Sequence, residues 1–240
     1  MKSLKRPVVH QGVTYPEYEI DFYTSNVYSV RFKDRVLKAS TNSLDYLTFC
    51  LRIKNNRFDV KQHSLLAETF TDLLSKSPIV SHHGLQIGKD RHELKTATGF
   101  RVICNMVCAD HIDSNRSNNH YTNLMIVTQA ENLIKCGPHK GKKYKGVRKT
   151  PENTYRVEIH WEKILDKNGK CFYTSKNFKT EEEEAALGYN TMLEEALLTI
   201  WGPDFGPKMY DFAYKNVIET PVQDLEDRIE RLNWKEKYNV

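Results

Sequence analysis

The stretch ADHIDSNRSNNHYTNLMIVTQAENL, Ala109–Leu133, decides how the chain is read. Its middle is too rich in Asn, Ser and Asp to be core, whereas both flanks are apolar. Phe100 to His111 (FRVICNMVCADH) reads as one strand, Asp113 to Asn123 as a polar loop, and Leu124 to Val127 as a second short strand. Thr128 and Glu131 match the capping box T-x-x-E, so a helix should begin at Gln129. The predicted order is strand, long loop, strand, helix. Alternation along the first strand sends Asp110 and His111 to opposite faces. Asn132 falls in the first turn of the helix, where partial positive charge favours an anion. A phosphate placed there would lie near Asn132, Asp110 and His111 together.

Phosphodiester cleavage needs an activated water, a cation to offset charge on the pentavalent phosphate, and stabilisation of the leaving oxygen. An imidazole, with an ordinary pKa of about 6.5, can take the water proton, which makes His111 the candidate base. A hydrogen bond from its other ring nitrogen to the Asn123 amide oxygen would fix the tautomer. Asp110 and Asn132 offer oxygen ligands suited to one hard divalent ion, Mg²⁺ or Mn²⁺. Asn115, Asn118 and Asn119 read as turn chemistry, Asp113 as a loop hydrogen-bonder and His120 as solvent-facing.

These residues, with DHIDSNRSNN followed by NLMIVTQAEN, resemble the HNH endonucleases with a ββα-metal core, and more closely their HNN variant. The resemblance implies His111 as general base, Asn123 as the residue that orients it, and Asp110 and Asn132 as metal ligands. Two departures stand out. Ser114 occupies a loop position where the family usually has glycine, and the stretch from Phe70 to Asp110 is longer than usual.

Ahead of this segment, VYSVRF, VLKAS and YLTFCLRI alternate as short strands, FDV suggests another, and HSLLAETF carries a helical stripe. This part resembles the nuclease-associated module that precedes the HNH core in phage and intron-borne homing endonucleases. Thr71 to Ala97 shows no sustained period and reads as surface loop, with His82, His83 and His92 unassigned.

Behind it, Lys135–Lys149 (KCGPHKGKKYKGVRK) holds six lysines and one arginine without an acid, while four consecutive acids, Glu181–Glu184, lie elsewhere. A segregated basic stretch can track phosphates. Next come YKGVRK, YRVEIHWE and KCFYTSKNF as three strands. A second capping box, Thr180 with Glu183, then opens a helix whose apolar face is Ala185, Ala186, Tyr189, Met192, Leu193, Ala196, Leu197 and Ile200; Gly202 and Pro203 stop it. Tyr155, Val157, Ile159 and Trp161 mark the sheet face under that helix. On YKGVRK, YRVEIHW, NFKTEEEEAALGYN and WGPDF, Tyr144 to Asp211 resembles the ethylene-response-factor (AP-two) DNA-binding domain, which lays such a sheet in the major groove. The candidates for DNA contact are Lys140, Lys142, Lys143, Lys145, Arg148, Arg156, Glu158, His160 and Thr174. Val222 to Lys237 reads as an amphipathic helix.

The bulk numbers fit this organisation. With 240 residues and a mean hydropathy of -0.63, several small cores are expected rather than one large one. No apolar run approaches the roughly 18 residues of a membrane span and Met1 to His10 lacks a secretory apolar block, so an intracellular, cytoplasmic protein is expected. Five cysteines at irregular spacing suggest reduced thiols; a structural zinc on Cys104, Cys108 and Cys136 is the alternative, although no CxxC pair exists. The expected fold class is α+β in small modules. They are an antiparallel β module with a helix (1–70), the ββα-metal core with a preceding insertion (71–137), a three-stranded antiparallel sheet plus helix (138–212) and a tail (213–240).

Together these resemblances imply a homing-type, metal-dependent endonuclease acting on double-stranded DNA in a phage-infected host, with no membrane or protein partner. It would leave 5′-phosphate and 3′-hydroxyl ends and, as a monomer with one core, nick. The alternative is a DNA-binding regulator whose nuclease core is inactive.

Overall fold

The computed structural model describes residues 3–33, 35–53, 56–88, 91–179 and 181–218. The fold is mixed α+β, with small, mainly antiparallel sheets and few helices. Two compact units form, each described by itself. The first contains the described residues of Met1–Leu94 and Ile103–Ile134; the second contains the described residues of Lys95–Val102 and Lys135–Val240.

In the first unit a four-stranded antiparallel sheet follows chain order: Lys5–His10, Val13–Asp21, Val27–Ser29 and Arg35–Val36. A second sheet joins Ser40–Thr41, Leu47–Ile53 and Asn56–Lys61. The chain then enters the helix Gln62–Thr69, whose Leu65, Leu66 and Ala67 are fully buried. These side chains and Phe70 pack with Phe22, Phe49, Leu51, Leu124 and Ile126 into one core. Each such large side chain stabilises by roughly 1.5–3 kcal/mol on burial. The core therefore ties the N-terminal strands to the strand Leu124–Thr128 and fixes the floor of the site.

That strand pairs antiparallel with Val107–His111 and parallel with Ser75–Lys76. The apolar run from Phe100 to His111 is not one strand, as the sequence suggested, but two. Arg101–Cys104 places Arg101 and Val102 against Leu165 and Ile164 in the second unit, and Val107–His111 runs beside Leu124–Thr128 in the first. Thr71 to Ala97 is likewise more than loop. It contains the strands Ser75–Lys76 and His92–Lys95 and the helix Pro78–His83, opened by Pro78 and anchored by buried Ile79 and Val80.

In the second unit Val147–Lys149, Tyr155–Leu165 and Cys171–Phe178 form an antiparallel meander. The helix Glu182–Trp201 buries the apolar stripe read from the sequence, and Gly202 caps it at φ +78°. The helix lies close to the sheet. A Cβ on Gly188 would come within 2.4 Å of the Phe178 ring, and one on Gly146, itself at φ +69°, within 2.4 Å of Tyr189. Glycine is required at 146 on both counts. The short helix Gly206–Phe212 had no sequence signal. Thr180, the expected cap, and Val222 to Lys237, the expected amphipathic helix, lie outside the described residues. Among the described residues no helix is long and apolar enough to cross a membrane.

Candidate functional site

The strand Val107–His111 pairs with Leu124–Thr128 so that Asp110 faces Met125 and His111 faces Leu124 across the ladder. Thr128 then caps the helix Gln129–Lys135 in the expected reciprocal way. Glu131 N–H donates to Thr128 Oγ1 at 3.1 Å, and Thr128 N–H donates to Glu131 Oε2 at 3.0 Å. Beyond the expected box, the fully buried Glu131 carboxylate also accepts from Ser77 Oγ and Ile79 N–H, each at 2.6 Å. Burial pushes the Glu131 pKa up, against the pull of these hydrogen bonds.

His111 is 4% exposed, and its Nε2 lies 2.7 Å from Asn119 Oδ1. The tautomer partner at Nε2 is therefore Asn119 rather than Asn123. Asn123 is spent on the loop: its Oδ1 accepts from Asp113 N–H at 3.0 Å, and its Nδ2 donates to Asp113 Oδ1 at 2.8 Å and to the Asn118 carbonyl at 2.7 Å. Asp113 is a loop hydrogen-bonder as read, also accepting from Asn115 N–H and Asn118 Nδ2, and these bonds hold its carboxyl below the usual carboxylate range. Asn115 and Asn118 likewise make turn bonds, to Ser117 N–H and His120 N–H respectively, and His120 is exposed. Asn119 departs from this pattern. It is 5% exposed and faces inward. Ser114, where glycine was noted as usual, sits at φ +61°, a conformation glycine adopts without strain.

Two aromatic neighbours of His111 come from far upstream and were not anticipated. The His63 ring lies edge-on to His111 at 4.9 Å between centroids, and Tyr46 lies 5.0 Å from His63 and 6.1 Å from His111. His63 is buried, and its Nδ1 has no hydrogen-bond partner. Burial first, then the nearby His111 and Lys61, pull its pKa from 6.5 to about 3. The unfolded chain thus binds a proton, as pH falls from about 6.5 to about 3, that the folded chain refuses. This contribution leaves stability untouched above that window and lowers it by up to about 1.4 kcal/mol per pH unit within it. Urea unfolding at stepped pH is expected to show this loss, and His63→Phe a smaller slope. An identical slope in the variant would contradict a neutral, buried His63.

Asp110 and Asn132 are both half-buried. Their carboxylate and amide oxygens are the hard donors that Mg²⁺ or Mn²⁺ prefers, so the donor chemistry fits such an ion. Among the described residues no three His, Cys, Asp or Glu side chains converge as a metal cluster, so two protein oxygens would leave the remaining positions to water and phosphate. At the cysteines of the zinc alternative, burial raises the Cys104 and Cys108 thiols to about 11. No disulfide forms among the described residues.

In the second unit, directly paired residues of the meander share a face. Arg148 pairs with Arg156, Glu158 with Ser175, and His160 with Tyr173, which makes these the outer face. Thr174 instead pairs with Ile159, which is 2% exposed under the helix. Thr174 is thus corrected to the helix-covered face, and exposed Tyr173 takes its place. Glu158 bridges the outer face, with Arg148 Nε at 3.1 Å, Arg156 Nε at 2.9 Å and the Tyr173 hydroxyl donating at 3.1 Å. Of the basic stretch, Lys140 and Lys142 are exposed, and Lys143 pairs with Glu183 at 2.7 Å. Lys145 donates to the Cys136 carbonyl at 2.7 Å, and burial draws its pKa down to about 8, so it acts as an internal tie.

Comparison with known proteins finds HNH endonucleases. The family described as HNH endonuclease matches residues 108–134, the span from the first strand through the capped helix. An uncharacterized HNH endonuclease of Acanthamoeba polyphaga mimivirus is 32% identical over 152 residues, covering 58% of this chain and 74% of that protein. A solved structure, described as DNA binding and cleavage by the HNH homing endonuclease I-HmuI, is similar at a TM-score of 0.36 and 22% identity. The similarity covers 54% of this chain and 55% of that one, about half of each. With the Asp110–His111 strand end, the paired second strand and the capped helix in one segment, and with a relative matched over most of its length, the chain belongs to the HNH endonuclease family.

Proposed function

We propose that the protein is a metal-dependent endonuclease that cuts double-stranded DNA site-specifically, in the manner of homing enzymes, and nicks one strand per binding event. The observation that carries this reading is the buried His111 at the end of the ββα strand, held through Nε2 by Asn119. With Nε2 engaged by Asn119, the His111 imidazole takes the proton of an attacking water. The water oxygen bonds to phosphorus as the bond to the 3′ oxygen breaks and the 3′ oxygen takes a proton from solvent water, leaving a 5′-phosphate and a 3′-hydroxyl. Asp110 and Asn132 would hold a divalent ion, which would supply neutralisation of the charge that builds on the phosphate. Asn123 keeps the loop wound so that Asn119 reaches His111. With one such core per chain, nicking by a monomer is the simplest outcome.

The segments before and after the core are proposed to grip DNA, the first as a strand-rich module and the last as an AP-two-like sheet. Arg148, Arg156, Glu158, His160 and Tyr173 form the proposed reading face, with Lys140, Lys142 and Lys143 on the phosphates. Arg148→Ala is expected to weaken DNA binding by about 1–3 kcal/mol without changing the chemistry. Its exposed pairing with Glu158 contributes little to stability, so folding should be unaffected. Equal affinity and specificity in a gel-shift titration would remove this face from the interface.

The function itself is tested by incubating supercoiled and linear DNA with the protein in Mg²⁺, Mn²⁺ or EDTA, then probing the product ends by ligation. Ligatable nicks that require metal support the endonuclease. Retarded but uncut DNA on a verified target, equal with and without metal, would replace it with a DNA-binding regulator.

A further inference from the structure

Behind His111 runs a buried line of polar groups that reaches the N-terminal strands. Asn119 Nδ2 donates to Gln62 Oε1 at 2.8 Å, and Gln62 Nε2 donates to the Ser25 carbonyl at 2.6 Å. Ser25 Oγ returns to the Asn119 carbonyl at 2.7 Å. Ser25, Gln62, Asn119 and His111 are 4, 7, 5 and 4% exposed, so water does not offer these groups an easy substitute. Ser25 is held at φ +56°, and its N–H is fixed on the Asp21 carbonyl at 2.8 Å.

The direction of every bond in this line follows from its far end. A backbone carbonyl only accepts, so the Gln62 group facing Ser25 must be the amide nitrogen. Gln62 Oε1 then faces Asn119, which must answer with Nδ2. Asn119 Oδ1 is left for His111, whose Nε2 must carry the proton. Reversing the Asn119 amide would set its NH₂ against the imidazole N–H, and it would also leave Gln62 with two opposed acceptors.

We propose that Gln62, anchored on the Ser25 carbonyl, is a positioning residue that acts through Asn119 to hold His111 as the Nε2–H tautomer. The strand-rich N-terminal segment then serves the reaction centre as well as DNA. Gln62 opens the helix Gln62–Thr69, whose Leu65 and Leu66 are locked in the core, so the relay starts from a rigid element. The link to catalysis rests on the base role given to His111 above; the link to the tautomer does not.

Long-range ¹H–¹⁵N spectra of ¹⁵N-histidine-labelled protein in mildly alkaline buffer read the tautomer directly, with His111→Ala identifying the signal. The native protein is expected to show a single Nε2–H form. Gln62→Met keeps the length and removes both polar ends. Gln62→Glu keeps the acceptor toward Asn119 and, as a buried carboxylic acid, can still donate to the Ser25 carbonyl, so it is the conservative control. Gln62→Met is expected to give mixed tautomers and to slow single-turnover cleavage by roughly 10- to 100-fold at unchanged DNA affinity, the scale found when a partner orienting a functional histidine is lost, whereas Gln62→Glu is expected to keep the single Nε2–H form. A tautomer change with unchanged cleavage would support the relay and overturn the base role of His111. An Nδ1–H form in the native protein, an unchanged single Nε2–H form in folded Gln62→Met, or mixed tautomers in folded Gln62→Glu would overturn the relay.

Discussion

His111→Ala is expected to lower the single-turnover rate of DNA cleavage by a factor on the order of 10² to 10⁴, the range lost when a general base is removed. The same variant should bind DNA almost as the native protein does, because His111 is 4% exposed and its Nε2 faces the protein interior. The pairing of the two outcomes carries the assignment. A loss of binding equal to the loss of rate would make His111 a structural residue, and an unchanged rate would remove it from the chemistry. His63, edge-on to the same ring, has its pKa drawn to about 3 chiefly by burial, which makes it a weak substitute base. Little residual activity through a neighbour is therefore expected.

Glu131→Ala should be the most destabilising single change in the site, by roughly 3–5 kcal/mol in urea unfolding. The carboxylate is fully buried and accepts four hydrogen bonds, from Ser77 Oγ, Ile79 N–H, Thr128 N–H and Thr128 Oγ1. Alanine leaves two buried backbone N–H groups without an acceptor, each costing about 1–3 kcal/mol, and removes half of the capping box. Domains of this size are stable by only about 5–15 kcal/mol, so the loss is a large fraction of the total. Because Asn132 follows in the same helical turn, cleavage should fall as well, in step with loosening of the proposed ion site. Glu131→Gln keeps the shape but turns one acceptor into a donor, and should fall between. A cost below about 1 kcal/mol for the alanine variant would mean that water replaces the clasp and that the helix start is set by packing.

What could be read from the sequence was what local chemistry determines. The capping box Thr128–Glu131 and the stripe on Glu182–Trp201 depend on residues within a few positions of one another, and both formed as expected. The face of Thr174 was readable but misassigned. In Cys171–Phe178 the alternating Phe172, Thr174, Lys176 and Phe178 mark one face, and buried Phe178 identifies it as the covered one. The split of Phe100 to His111 was not readable, because an apolar run carries no sign of which sheet receives it; Arg101–Val102 and Val107–His111 are claimed by different partners. The partner of His111 was hidden for a similar reason. Asn119 and Asn123 lie in one loop, and the choice between them depends on Gln62, fifty-seven residues from Asn119. Ser77 and Ile79 escaped notice too, since only the fold brings them to Glu131.

The most direct test of the account is a time course of supercoiled plasmid bearing a verified target, with native protein and His111→Ala side by side, in Mg²⁺ and in EDTA. The account requires nicked circles from the native protein in Mg²⁺ alone, with the variant bound to the same DNA and slower by at least about 10²-fold. Cutting that persists in EDTA, or a folded variant that nicks at the native rate, would contradict it.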